Sequence, residues 1–424
     1  MRRFLILDPG LNDYGSHHPN VVREISTAAT KSGYAVSIYG HKRISVKLKK
    51  DLGVIPHFSV HTYSPILPLG FKRGPQWKAR RELVRIESRF SSWRVILRGF
   101  DFERKVQITE REIRKINFRP DDIVFVHSGQ AVLFEAMLRL LAKDAGEPRP
   151  RIHFEFGVNS GAHAIAGGAI NGFSMPDPKQ DVRPYLYAMS RKAHETDDTS
   201  GIVFGAFTAD VSQSFGKFLN LKVRAFPLPS TSPPNSRSRE GLSRPVIGIL
   251  GYQSHTKGYQ FVSEIVAQVQ SQRPNCEFLI HNSNLNLPAH KEVCALAKSA
   301  SRVTLVEGPA DPDMWWSLIE RCDLIVCPYQ ASRYQGAYSA IMGEAILGCV
   351  PVVGPANTSL ETMAKTYGSG FVAFSIWNAE EIAVAIIDAI DNLDLLAKQS
   401  VLASENWQKT NGAKLLVERL AAGF

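Results

Sequence analysis

The sequence predicts an α/β protein made of two Rossmann-like, doubly wound domains. Short β-branched or aromatic runs recur along it, each followed by a turn and a stretch of helical periodicity, the pattern of βαβ units on a parallel sheet. A Pro-, Ser- and Arg-rich stretch without periodicity, FPLPSTSPPNSRSREGLSRP from Phe226 to Pro245, interrupts that alternation, which then restarts. At 424 residues the chain is also too long for one hydrophobic core. The expected division is a first domain over 1–225, a linker over 226–244, a second domain over 245–400 and a helical tail over 401–424 able to return to the first domain.

In the first half the expected strands are Arg3–Leu7, Ala35–Tyr39, Asp122–His127, Arg151–Phe156 and Ile202–Phe207, with a helix from about Pro19 to Ser32 ended by Gly33. After the linker, Val246–Leu250, Glu277–His281, Val303–Glu307, Asp323–Pro328, Val350–Gly354 and Gly370–Phe374 read as strands. Between them Gly258–Gln270, His290–Ser299, Asp311–Arg321 and Tyr338–Leu347 read as helices, which completes one doubly wound domain. The helical stretch from Glu380 onward is longer than that domain needs.

Composition narrows the class. With 44% hydrophobic and 21% charged residues the chain is ordinary for a globular protein, and no apolar run approaches a bilayer span. The opening MRRFLILDPG carries two arginines, yet its apolar run, Phe4 to Leu7, stops at Asp8 and Pro9, so a cytoplasmic location is expected. The five cysteines, Cys276, Cys294, Cys322, Cys327 and Cys349, lack zinc-site spacing and read as buried thiols of a reducing compartment. No His or Asp cluster stands at metal-ligand spacing, and neither a metal nor a cofactor is expected. The net charge of +10 is localised, because residues 71–120 hold fifteen Lys or Arg against six Asp or Glu. Arginines interleaved with Trp77, Phe90, Trp93, Phe100 and Phe102 suit an anionic membrane surface or a lipid-diphosphate acceptor; the same residues also suit a solvated helix face. Nucleic acid is not expected, since no binding motif accompanies the charge.

In open α/β sheets ligands bind beyond the carboxyl ends of the strands. The loop after Val246–Leu250, Gly251-Tyr-Gln-Ser-His-Thr-Lys-Gly258, offers small residues for close backbone approach to a phosphate, and Lys257 as a point charge. It matches neither the Walker loop nor the dinucleotide fingerprint, and a turn with a surface lysine is the plain alternative. A second segment, PYQASRYQGAYSAIMGEAILGCVPVV from Pro328, leads from a strand through a small-residue loop into a helix starting near Ala337 to Ser339. That helix N-terminus offers free N–H donors to a diphosphate. Glu344 sits among Met342, Ala345 and Ile346, where a carboxylate needs hydrogen-bond donors; a ribose diol supplies two, and so would local backbone or Arg333.

The block from Glu344 to Val353, EAILGCVPVV, resembles the EAxxxGxPVV block of retaining GT-B glycosyltransferases of the family-four type, with one extra residue, Cys349 or Val350, before Pro351. The Gly251…Lys257-Gly258 loop and the N-terminal loop Asp8-Pro-Gly-Leu-Asn-Asp-Tyr-Gly-Ser-His-His18 are similar to two further blocks of that family, in the same order. The resemblance implies a GT-B fold with two Rossmann-like domains facing a central cleft. It implies a nucleotide-sugar donor and a glycan or lipid-linked acceptor, the sugar passing with retention. By it Glu344 holds the ribose, Lys257 neutralises the diphosphate, and the backbone at Ala337, Tyr338 and Ser339 cradles the distal phosphate. Glu307 and Gly308 border the base, while Gly15 and Gly251 belong to the donor loops.

One departure stands out. The family has a second Glu eight residues before the ribose-binding one, and here that position is Gly336. The Arg usual near Lys257 is also missing, Gln253 and His255 occupying the loop, so Arg333 is the candidate second charge. In the first domain His17 and His18 are candidates for contacting phosphate or acceptor, or for capping and surface roles. His127 ends a strand where such enzymes place a histidine near the transferred sugar. Two alternatives stay open: an inverting GT-B transferase with His127, His17 or Asp8 as general base, and a non-catalytic nucleotide-sugar-binding protein.

Overall fold

The structure, a computed structural model, describes residues 2–14, 17–64, 66, 91–143, 148–157, 162–166, 169–174, 183–226, 229 and 241–422, without the side chains of 91–98, 143, 162–166 and 169–174. Gly15, most of the 226–244 linker and residues 71–90 of the basic window lie outside these residues.

The first half contributes β1 (Arg3–Leu7), β2 (Ala35–His41), β3 (Ile55–Phe58), β4 (Ile123–Gly129), β5 (Arg151–Phe156), β8 (Ile202–Ala206) and β9 (Val223–Ala225). They form a parallel sheet in the order β3-β2-β1-β4-β5-β8-β9, while β6 (Ala162–Ala166) and β7 (Ala169–Ser174) make a separate antiparallel hairpin. The central strands are apolar on both faces, as a sheet covered on both sides requires. Alternation sorts them: Leu5, Leu7, Val124 and Val126 enter one core, and Phe4, Ile6, Ile123 and Phe125 enter the opposite one.

The second half contributes β10 (Val246–Ile249), β11 (Glu277–Asn282), β12 (Val303–Glu307), β13 (Leu324–Val326), β14 (Val352–Pro355) and β15 (Phe371–Phe374), in the doubly wound order β12-β11-β10-β13-β14-β15. The same sorting holds, with Ile247, Phe278 and Leu324 on one side and Leu279, Ile325 and Cys327 on the other. The winding reverses between β1 and β4 in the first sheet and between β10 and β13 in the second. The carboxyl ends of these four strands are therefore where a site is expected.

β3 and β9 were not expected from the sequence. Both are short edge strands, one with Pro56 and Pro-tolerant for that reason, the other three residues long, and such strands carry little periodicity. The hairpin was not expected either. In the described part of the basic window, Lys105 pairs with Asp101 and Arg114 with Glu110 one turn away along the helix Ser91–Arg114, so there part of the basic charge is matched by largely buried carboxylates.

Two C-terminal helices tie the halves together. The helix Leu393–Asn411 packs on Ala340–Leu347 and buries Trp407 beside it. The last helix, Ala413–Ala422, packs on α1 (His18–Lys31) and places Leu416, Val417 and Leu420 in the core of the first domain. Among the described residues no helix is long and apolar enough to cross a membrane.

Candidate active site

The two reversal points face one another across a cavity of about 590 Å³ lined from both domains. On the C-terminal side the chain leaves β10 at Gly251 (φ +112°), turns through the 3-10 segment His255–Lys257, and passes Gly258 (φ +71°). A Cβ on Gly258 would stand 2.1 Å from the carbonyl oxygen of Pro328, so only glycine lets this loop lie against the end of the neighbouring strand. That close approach puts Lys257 in the cavity, its Nζ 5.2 Å from the centre of the Tyr329 ring. Burial pushes the ammonium below the ordinary lysine range, while Cys327 and Glu344 oppose the shift.

After β13 the chain makes a short helix, Ala331–Tyr334, and then the helix Ala340–Leu347 opens at the cavity wall. Ser339 occupies its N-cap with extended backbone, yet its hydroxyl caps nothing; it is buried without a hydrogen-bond partner among the described residues. Ala337, Tyr338 and Ser339 all line the cavity, so the unpaired N–H groups of the helix start and a spare hydroxyl face it together. One turn on, Glu344 is buried on the same wall. Burial raises its carboxyl to about 7, against the opposing effects of Trp315, of Asn20 from α1 across the cleft, and of Lys257. Its contacts come from these three and not from Arg333, which lines the cavity from the short helix with its side chain exposed.

Cys349 explains the extra residue in this block. It takes a left-handed conformation (φ +55°), and with Val350 donating to the Ala345 carbonyl it closes the helix before β14 begins. Gln253 and His255 do not replace the missing arginine. Gln253 donates to the His281 carbonyl (3.0 Å), and His255 packs on Trp377.

The N-terminal wall corrects two expectations and places a third residue in the cavity. His127 does not reach the cavity: it is fully buried, its Nδ1 3.8 Å from a Glu155 carboxylate oxygen, and burial pushes it well below the ordinary histidine range. The next residue, Ser128, lines the cavity instead, in a left-handed conformation (φ +51°) that is strained for serine. His18 is buried too, its Nδ1 2.8 Å from both Asp8 oxygens and its Nε2 2.9 Å from the Tyr63 hydroxyl. Its ring leaves no room for a side chain at Gly10, whose Cβ would come within 2.4 Å of it. His17 does line the cavity, stacked on His18 at 4.4 Å and held neutral by burial and by the adjacent His18 and His127.

Glu307 and Gly308 do not line the cavity. The Glu307 carboxylate turns to His290 (2.8 Å), and the Gly308 carbonyl faces Nε2 of His281 (2.8 Å). Residues the sequence reading missed are Asn20, Ser128, Ser283, Trp315 and Tyr329, all on the cavity wall. Tyr329 stands at the start of the segment from Pro328, Ser283 follows an expected strand end, and Asn20 and Trp315 lie near the starts of expected helices, which is the signal they carry.

Two groups of side chains have metal-ligating composition: His17, His18 and His127, and His290, Cys294 and Glu307. In the first, both nitrogens of His18 already face Asp8 and Tyr63, while His17 stacks on its ring and His127 meets it edge-on. The second lies away from the cavity. Cys294 is also half-exposed, unlike the four other cysteines, which are buried; all five are free thiols.

No family model and no curated protein matches the sequence. Solved structures do match over the whole chain. Sucrose-phosphate synthase from Thermosynechococcus elongatus superposes with a TM-score of 0.61 at 13% identity, covering 100% of this chain and 98% of that one. A glycosyltransferase from Rickettsia africae gives 0.59 at 14% identity, with 99% and 96% covered. HepE from Anabaena, solved in complex with UDP, gives 0.58 at 14% identity, with 99% and 98% covered. At these identities the likeness is one of fold, and the fold is GT-B: two Rossmann-like domains facing a cleft.

Proposed function

We propose that the chain is a glycosyltransferase that moves a sugar from a nucleotide-sugar donor to a glycan or lipid-linked acceptor, with retention, in cell-surface polysaccharide or glycoconjugate synthesis. One observation carries this reading: Lys257, the open start of the helix Ala340–Leu347 and Glu344 converge on one inter-domain cavity of a GT-B fold. A diphosphate fits against the ammonium and the helix N-terminus. A ribose diol fits against the Glu344 carboxylate. In the transfer the bond from the anomeric carbon to the diphosphate oxygen breaks, and Lys257, Arg333 and the helix start hold the charge that develops there. The acceptor oxygen bonds to the same carbon on the same face, and its proton passes to the departing diphosphate. Glu344 is the one carboxylate among the described lining residues, and Asp8 and His127 are buried away from the cavity; His17 lines it and is the one base left to the inverting alternative, so the anomeric configuration of the product decides between the two routes. Neither a metal nor a cofactor has a place in this scheme.

Thermal-shift measurements with UDP, GDP, dTDP and ADP sugars test it, UDP first because HepE is solved with it. Stabilisation by one nucleotide, lost in Glu344→Ala, is the expected result. A protein that shifts with none, or shifts equally in the variant, does not use this cavity for a nucleotide sugar.

Glu344 also sets a pH dependence. Its folded-state value near 7 lies above the unfolded 4.5, so between these values the folded state holds the extra proton. Stability conferred by that proton is present at the acidic end and is lost as pH rises through the window, by up to about 3 kcal/mol, and is flat above it. Glu344→Gln is expected to flatten this slope in denaturant titrations. Nucleotide affinity should move the other way, tightening as the carboxylate ionises through about 7 in the wild type and not in the variant. An unchanged stability slope in Glu344→Gln would assign the titration to another group.

The acceptor side rests on residues 71–120 and their excess of fifteen basic over six acidic residues. The protein is expected to sediment with vesicles containing anionic lipid, to stay in solution with neutral vesicles, and to be released by salt. Equal recovery from both vesicle types would remove the membrane from the proposal.

A further inference from the structure

On the outer side of the C-terminal domain, three side chains of different ligating chemistry meet. His290 and Cys294 stand four residues apart on the helix His290–Ser299, hence on one face of it, and that helix packs against β12, whose last residue is Glu307. His290 Nε2 lies 2.8 Å from Glu307 Oε1 and 3.5 Å from Cys294 Sγ, and the sulfur lies 3.9 Å from the same carboxylate oxygen. Zinc bonded tetrahedrally to imidazole, thiolate and carboxylate sets edges of roughly 3.3–3.6 Å between such atoms. The three observed separations depart from that by about 0.6 Å at most, so closing around an ion needs only side-chain adjustment.

The surroundings fit a ligand site as well. Nδ1 of His290 lies 3.2 Å from the Tyr259 hydroxyl inside the core, which fixes the ring so that Nε2 points outward. Asn282, held by two hydrogen bonds to Asn284, adds a second contact at 3.2 Å to that buried face. The Glu307 side chain is 50% exposed, leaving water free to complete the coordination. We propose that His290, Cys294 and Glu307 form a three-ligand site for a borderline-soft divalent cation of the zinc class, with solvent in the fourth position.

Binding releases the Cys294 thiol proton. It also displaces the proton between His290 and Glu307, either to solvent or to Nδ1, where the Tyr259 oxygen accepts it. Bound metal would tie the helix to the end of β12, next to Gly308, whose carbonyl faces His281 on the cavity wall. The site thereby braces the loop that leads from β12 to Trp315. It stands apart from the donor cavity, and its test is independent of the proposed transferase activity.

The test uses the full chain, freed of metal by a chelator and titrated with Zn²⁺ against a chromophoric competitor, and separately with Co²⁺. Expected are one equivalent bound, proton release, and with Co²⁺ a thiolate-to-metal charge-transfer band that Cys294→Ser abolishes. His290→Gln and Glu307→Gln should each weaken Zn²⁺ binding by more than about tenfold, the loss typical of removing even an outer partner, and Tyr259→Phe by about tenfold. Circular dichroism of each variant confirms that it is folded. Absence of stoichiometric binding, or binding that Cys294→Ser and Glu307→Gln leave unchanged, overturns the site; in the latter case the metal is held elsewhere, with the three histidines beside the cleft the first place to look.

Discussion

Replacing Lys257 with Met is expected to lower turnover by about 10²–10³-fold, or roughly 3–4 kcal/mol in the barrier, with a smaller change in the Michaelis constant for the donor. The side chain is close in length, so the cavity keeps its shape and loses only the charge. That charge lies in an enclosed wall where burial already presses the ammonium toward neutrality, which means few water dipoles compete with it for a diphosphate. A donor in its ground state already has its phosphates neutralised in part. The departing diphosphate gains negative charge as the glycosidic bond breaks, so the lost stabilisation falls mainly on the transition state and shows in kcat. Arg333→Ala is the internal comparison: its guanidinium is exposed, water screens it, and about a tenfold loss is expected. Steady-state kinetics with the nucleotide sugar found by thermal shift reads both. Lys257→Met turning over within about threefold of wild type would mean that the diphosphate is not held by this loop.

Sequence and structure agree most closely where periodicity is strong. Arg3–Leu7, Arg151–Phe156, Val303–Glu307 and His290–Ser299 have the same bounds in both, because each is a short apolar or amphipathic run between clear breakers. Most of the remaining strand ends differ by a residue or two, and Val350–Gly354 starts later since Cys349 and Val350 close the preceding helix. Motif reading put Gly251, Lys257, Arg333, Ala337, Tyr338, Ser339, Glu344 and His17 on residues that the fold gathers in one cavity. It missed on His127 for a local reason. Strand alternation would allow either neighbour to face the cleft, and the left-handed turn at Ser128, with the bulge after Val126, hands the cleft to serine. Glu307 failed differently: its strand end is where expected, but His290, seventeen positions earlier in the chain, draws the carboxylate away. The trio of His290, Cys294 and Glu307 was not read from the sequence, where Cys294 counted as a buried thiol without zinc-site spacing, although it stands four residues after His290 in an expected helix. Its third member comes from another element, which only the fold supplies.

Trp407→Ala is expected to destabilise the protein by about 3–5 kcal/mol, the cost of emptying a fully enclosed tryptophan site. Trp407 has no exposed surface and packs beside Tyr367, with ring centres 4.7 Å apart, against the helix that carries Glu344. A contribution of opposite sign comes from its indole N–H, which has no hydrogen-bond partner among the described residues. Removing that buried donor returns about 1–3 kcal/mol, less than the cavity costs. Trp407→Phe separates the two contributions, since it discards the N–H and keeps most of the ring volume, and should cost clearly less than the alanine variant. The consequence extends to function, because a Cβ at Gly343 would already stand 3.1 Å from the Trp407 ring and 2.7 Å from the Tyr338 hydroxyl. Tryptophan, helix and cavity wall are thus one packed stack, and a void behind Gly343 lets the helix that bears Ser339 and Glu344 shift. Denaturant titration should therefore show the stability loss, and nucleotide affinity should fall with it in Trp407→Ala although residue 407 touches no part of the cavity. A variant that is destabilised but binds nucleotide as tightly as wild type would separate the donor site from this packing.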